Sequence, residues 1–192
     1  TNGIPVPSGK DYCINLIDKD LIAKQIELAK EQKPDVICAF MHWGIEYKLL
    51  PVESQRNLAN FLIDQGVDLI IGSHPHVVEP MEIRYSEKWG KKVLLVYSLG
   101  NFISNQNGTD SRGGAMVKVR LMKQQSGTVS LISAGYKLFF CQKPLRKGDN
   151  YQLIPYGQEQ LIRDDSRPAY DAFMRNAHAI FNDHNIDVPE LP

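Results

Sequence analysis

Residues 35–72 read DVICAFMHWGIEYKLLPVESQRNLANFLIDQGVDLIIG, and this stretch decides the fold class. Asp35 to Met41 is a near-continuous apolar run of strand length, which predicts a strand covered on both faces. Glu53 to Gln65 is amphipathic, with Leu58, Phe61 and Leu62 on one side, and Gly66 is placed to end it with φ above zero. Val67 to Gly72 is a second buried strand. Just upstream, Ile22, Ile26 and Ala29 recur at helical spacing within Asp18 to Gln32, with Asp18 or Asp20 at the start and Pro34 beyond the end. Two successive helix–strand units with short links argue for an α/β layered fold whose strands are parallel neighbours.

Further out the pattern changes. Thr1 to Asp11, with Pro5, Pro7 and Gly9, reads as an irregular connection, and Ile14 to Ile17 as a short strand. Pro80 to Tyr85, Lys92 to Ser98, Ala115 to Met122 and Thr128 to Leu138 read as consecutive strands with glycine-rich turns, in antiparallel or mixed pairing. Pro168 to Asn182 reads as a docked helix, with Tyr170, Phe173, Ala177, Ile180 and Phe181 as its apolar stripe. Gly148-Asp149 reads as a turn.

The chain has 192 residues, 43% hydrophobic and 23% charged, which is an ordinary globular composition able to bury a core. Residues 1–192 are expected to form a single domain. Basic and acidic residues number 22 each, so no bulk field attracts nucleic acid, and no nucleic-acid partner is expected. No apolar run approaches the about 18 residues of a membrane span. The chain starts at Thr1 without an initiator Met or a signal pattern, so a fragment of a longer protein is expected. Cys13, Cys38 and Cys141 are an odd set without CxxC spacing, each among apolar residues, and are expected to be buried thiols.

The residues that promise chemistry are histidines at strand ends. His42 follows the first strand and His74 and His76 follow the second, in GSHPH. Open α/β sheets bind ligands outside the carboxyl ends of their strands, so all three imidazoles are expected at one edge. Pro75 predicts an extended HPH segment, which aims His74 and His76 the same way. Gly72, Ser73 and Gly44 allow close backbone approach to a ligand. Three neutral imidazoles suit a divalent transition metal such as Mn, Fe or Zn. Glu46 reads as a further ligand, a general acid/base or a plain surface carboxylate. Asn101, in YSLGNF, reads as an amide offered to a metal or an oxyanion, or as a turn residue. Trp43 and Tyr47 read as a pocket wall or as core. His178 and His184 read as structural. There is no GxSxG, Walker A or GxGxxG, so neither a nucleophile elbow nor a nucleotide cradle is supported.

Together HWGIEY (His42 to Tyr47), QRNLANFLIDQGVDLIIG (Gln55 to Gly72), SHPHV (Ser73 to Val77) and YSLGNF (Tyr97 to Phe102) resemble the CapA family of capsule and poly-γ-glutamate biosynthesis proteins, over Thr1 to Leu121. The resemblance implies a calcineurin-like metallophosphatase fold, a four-layer α/β/β/α sandwich with mixed sheets and two metals at one end. His42 matches that group's isolated histidine, and His74 and His76 its Gly-x-His-x-His pair. It also implies metal-dependent phosphoesterase chemistry with Glu46 and Asn101 as catalytic candidates. The bridging carboxylate and amide expected upstream have no counterpart before His42. The chain therefore reads as the C-terminal portion of such a domain, with about half of a dinuclear site.

The partners this implies are a phosphorylated or polymeric substrate, a capsule-synthesis membrane complex and the N-terminal remainder of the same protein. The location implied is extracytoplasmic or membrane-associated in a bacterium, with no anchor in this chain. Two other readings stand beside the phosphoesterase: a non-catalytic accessory subunit of a polymer synthesis or export complex, and a mononuclear three-histidine hydrolase. Zero net charge disfavours direct wrapping of an anionic polymer unless a local cluster such as Lys88, Lys91 and Lys92 serves it.

Overall fold

The parallel pair expected from residues 35–72 is present, and it carries the first of two sheets. In the computed structural model, which describes residues 5–192, β1 (Cys38–His42) and β2 (Leu69–Ser73) run parallel, with Cys38 opposite Leu69 and His42 opposite Ser73. The connection between them contains α2 (Glu53–Asp64), because a parallel pair needs a crossover. β4 (Lys91–Leu99) lies parallel to β2 on its other side, and β3 (Val78–Ser86) pairs antiparallel with β4, giving the order β1-β2-β4-β3. The second sheet is antiparallel, ordered β5 (Gly113–Lys123), β6 (Val129–Gln142), β7 (Gln152–Pro155). β7, a four-residue strand ending in proline, was absent from the sequence reading. The α/β class with mixed sheets stands.

The described residues group into two compact units, one ending at Pro34 and one running from Asp35 to Pro192. The first contains α1 (Lys19–Glu31), started by the Asp18 carboxylate, which accepts from the Leu21 amide at 2.9 Å. Ile14 to Ile17 forms no strand. Its side chains are exposed, with Leu16 at 57%, and an extended segment without a pairing partner among the described residues has nothing to hold it as one.

In the second unit the core lies between the sheets. Val78, Met81, Leu94 and Val96 of the first sheet meet Leu131, Ala134, Tyr136, Leu138 and Phe140 of the second. Helix α3 (Arg167–His184) closes this core with Tyr170, Phe173, Met174, Ala177 and Phe181. Val93 and Leu95 of β4 alternate to the opposite face, and α2 buries Leu58, Ala59, Leu62 and Ile63. The end of α2 is held by the β3–β4 hairpin. Lys88 Nζ and Trp89 Nε1 donate to the Asp64 carbonyl, and Lys91 Nζ donates to the Gly66 carbonyl, satisfying acceptors that the helix leaves unpaired. The tail after α3 stitches both sheets. Ile186 exchanges backbone hydrogen bonds with Met81 and Ile83, while Tyr136 does so with Pro189 and Leu191.

Two expectations about burial fail. β1 is the outermost strand among the described residues, and Phe40 on it is 79% exposed, so this strand is not covered on both faces. Cys13 and Cys38 are exposed, and only Cys141 is buried. Apolar neighbours in sequence identify a buried strand only when both faces find cover. His178 is structural as expected: its Nε2 lies 3.0 Å from Glu190 Oε2 and its ring packs edge-on to Tyr156. Gly148-Asp149 forms the expected turn, with the Asp149 amide donating to the Arg146 carbonyl.

Candidate functional site

Three parallel strands deliver the site. β1 ends at His42, β2 ends one residue before His74, and β4 ends two residues before Asn101. The parallel register that places His42 opposite Ser73 puts the first two imidazoles on neighbouring strand ends. The His42 and His74 ring centroids are 4.4 Å apart, and those of His74 and His76 are 6.1 Å apart.

The HPH segment reaches this geometry by a different backbone from the extended one expected. His74 has φ +103° and His76 φ +64°, both in the region that side chains other than glycine seldom adopt. The loop after β1 imposes this. The Trp43 amide donates to the Ser73 carbonyl at 3.1 Å and the Tyr47 amide to the Pro75 carbonyl at 2.8 Å, lacing the two loops together. Tyr47, itself at φ +64°, stacks on His76 with centroids 5.9 Å apart. Strained residues clustered at strand ends are a mark of functional sites.

Beneath the loops lies a close crossing. Trp43, which is core, sends its indole N–H across Gly72 to the Tyr97 carbonyl at 2.8 Å. A β-carbon on Gly72 would stand 2.0 Å from that carbonyl oxygen and 2.4 Å from the indole nitrogen, so only glycine fits. Gly44, at φ +86°, abuts the buried Gln55 side chain. Gln55 Oε1 accepts from the Val52 amide, and its Nε2 donates to Glu79 Oε2 at 2.7 Å. Burial pushes the Glu79 carboxyl up to about 7, against the opposing pull of the Gln55 hydrogen bond and Arg56.

The ligating atoms of Glu46, His74 and His76 all lie within 4.8 Å of one another, and His42 stands beside this group against His74. His76 Nε2 and Glu46 Oε1 are 3.9 Å apart, too long for a hydrogen bond. That spacing is within what two ligands of one ion span at bonds of about 2.0–2.2 Å. Burial, followed by the neighbouring His42, holds the His74 pKa down, keeping this imidazole neutral as a ligand must be. Glu46, His74 and His76 are therefore a group that could hold a metal ion.

Asn101 is fully engaged. Its Nδ2 donates to the Gln106 side chain at 3.1 Å and to the Ser111 carbonyl at 2.9 Å, so its Oδ1 is the atom 2.9 Å from His76 Nδ1. His76 Nδ1 must then carry a proton, and Nε2 is the ring nitrogen that faces Glu46. Asn101 orients an imidazole and has no N–H left for an oxyanion. Such an outer contact is how ligating histidines are ordinarily held. Gln55, Glu79 and Gln106 were missed in the sequence; a polar residue on an amphipathic helix, near the start of a strand or in a loop carries no signal of burial.

Comparison with known proteins gives a consistent picture. The family model described as bacterial capsule synthesis protein PGA_cap matches residues 2–106. The chain is 37% identical over 110 residues to a PGA biosynthesis protein CapA of Bacillus subtilis, and 35% identical over 118 residues to a capsule biosynthesis protein CapA of Bacillus anthracis. These alignments take in 57% and 60% of the chain and 27% of either relative. A probable polyglutamine synthesis accessory protein of Mycobacterium tuberculosis is 28% identical over 103 residues, which is 54% of the chain and 25% of that protein. The chain thus covers about a quarter of the length of these relatives.

Proposed function

Because this chain belongs to the bacterial capsule synthesis protein family PGA_cap, we propose that it serves capsule or poly-γ-glutamate biosynthesis as part of a metal-dependent phosphoesterase-like protein. The observation that carries the proposal is the convergence of Glu46, His74 and His76 within 4.8 Å, with His42 alongside. Glu46, His74 and His76 would hold a divalent ion, which would supply Lewis-acid polarisation of a phosphoryl oxygen and a lowered pKa for water. The chain's own residues do the positioning. Asn101 fixes the His76 tautomer, Tyr47 stacks on that ring, and the hydrogen bonds from Trp43 and Tyr47 hold the two loops in register. Glu46, exposed at the rim, is a ligand or a proton acceptor for an attacking water.

Among the described residues β1 is the outermost strand of its sheet. We place the N-terminal remainder of the longer protein there, pairing with the free edge of β1 and covering Phe40 and His42. That segment would supply the remaining ligands of a second metal. No helix among the described residues is long and apolar enough to cross a membrane.

The test is turnover by the full-length protein on phosphomonoester and phosphodiester panels with Mn, Fe or Zn. His76→Ala and Glu46→Gln are each expected to reduce metal-dependent turnover by about 100-fold or more. A full-length protein inert on both ester classes with every metal, whose histidine variants still sustain polymer production, contradicts the proposal. The similarity to a probable polyglutamine synthesis accessory protein of Mycobacterium tuberculosis favours a second reading, a non-catalytic accessory subunit. Under it, polymer production survives removal of His42, His74 and His76 but fails when the whole protein is deleted.

A further inference from the structure

At the end of the sheets opposite the histidines lies a cavity of about 360 Å³. Alternation explains what lines it. On β4, Leu94 and Val96 face the core, so Lys92 projects to the same side beyond them; on β3 its cross-strand partner is Tyr85. From the second sheet come Leu121 and Leu131, with Thr128 and Ser130 at the rim, while Val36 and Leu69 complete the apolar floor. Trp89, 41% exposed, and Tyr85, 58% exposed, form one wall.

The lysine cluster noticed in the sequence resolves into two kinds of residue here. Lys88 donates to the Asp64 carbonyl at the end of α2 and Lys91 to the Gly66 carbonyl just beyond it, and Lys91 also pairs with Asp68 at 2.6 Å. The lining also includes the Lys91–Asp68 ion pair, whose charges offset each other, so Lys92, exposed and without an acceptor among the described residues, is the cation that remains above an apolar floor. The volume is that of a small-ligand site, and an exposed ring wall, an aliphatic floor and one cation in excess of the Lys91–Asp68 pair select an anion with an aliphatic body.

We propose that this cavity binds a short carboxylate-bearing chain, the chemistry of a γ-linked glutamate segment, in which the carboxylate pairs with Lys92 and the methylene spine lies against Tyr85 and Trp89. This site is separate from the histidine edge, and the choice of probe rests on the capsule and poly-γ-glutamate reading.

The experiment titrates the full-length protein with a γ-linked oligoglutamate and follows tryptophan emission. Trp43 is 4% exposed, so Trp89 is the reporter within this chain, and a Trp89→Phe variant identifies its share of the signal. A saturable change is expected, weakened about tenfold or more in Lys92→Ser and diminished at high salt. Lys92 is exposed, and matching thermal unfolding of Lys92→Ser and the parent establishes that the fold is intact. No saturable binding, equal binding by Lys92→Ser, or capture of anionic lipid vesicles in place of the oligomer overturns the proposal. A His74→Ala, His76→Ala variant is expected to bind the oligomer as the parent does. Loss of the phosphoesterase or capsule reading, judged by turnover and polymer production, is thereby distinguishable from loss of this one.

Discussion

Gly72→Ala is expected to destabilise the protein by about 3 kcal/mol or more, a drop in Tm on the order of 10 °C for a chain of this size. A β-carbon there would meet the Tyr97 carbonyl oxygen at 2.0 Å, and neither that backbone nor the Trp43 indole at 2.4 Å can withdraw without breaking the hydrogen bond between them. The damage lands on the strand end that carries His74, so metal affinity is expected to fall together with stability. Gly148→Ala serves as the control. Gly148 has φ +100° but nothing within 4 Å of an added β-carbon, so it should lose only about 1–2 kcal/mol of backbone strain. Thermal unfolding of the two variants checks this, and equal losses would contradict the crossing of Trp43 over Gly72.

Glu79→Gln is expected to stabilise the protein at pH 8 by up to about 3 kcal/mol and to have little effect near pH 4.5. Glu79 is buried; its Oε2 accepts from Gln55, and its Oε1 has no partner among the described residues. With the carboxyl pushed up to about 7 from its ordinary 4.5, the native state keeps a proton that the unfolded chain releases between those values. Stability contributed by the protonated group is complete below pH 4.5. It is lost at about 1.4 kcal/mol per unit as pH rises toward 7, after which the loss is constant. Glutamine does not titrate and still offers an acceptor to Gln55 Nε2. Urea unfolding of parent and variant at pH 5 and pH 8 measures the difference. An equal effect at both values would mean that Glu79 is ionised in the fold throughout.

The parallel pairing of β1 with β2 was legible because apolar runs, an amphipathic helix and Gly66 all agreed, and it brings His42 and His74 to neighbouring strand ends. The His74–His76 segment was not legible. Pro75 favours an extended predecessor, but the hydrogen bond from the Tyr47 amide to the Pro75 carbonyl is a tertiary constraint and overrides that preference. The exposure of Phe40 was equally hidden, since an apolar strand reads the same whether its second face is covered within the chain or by something else. Asn101 was marked for an amide role, but its place behind His76 depends on Gln106 and the Ser111 carbonyl, which no motif announces. The Gln55–Glu79 pair was invisible because burial converts two ordinary surface residue types into a support for the loop above them.

The convergence of the three strand-end histidines with Glu46 is most directly tested by elemental analysis of the purified protein alongside a variant carrying His42→Ala, His74→Ala and His76→Ala. The protein is expected to retain at least one equivalent of a divalent transition metal per chain after dialysis, and the variant to retain none while unfolding at a similar temperature once both are stripped by chelator. Equal metal content in the two proteins, or none in the full-length protein under metal-replete conditions, would contradict a metal centre at this edge.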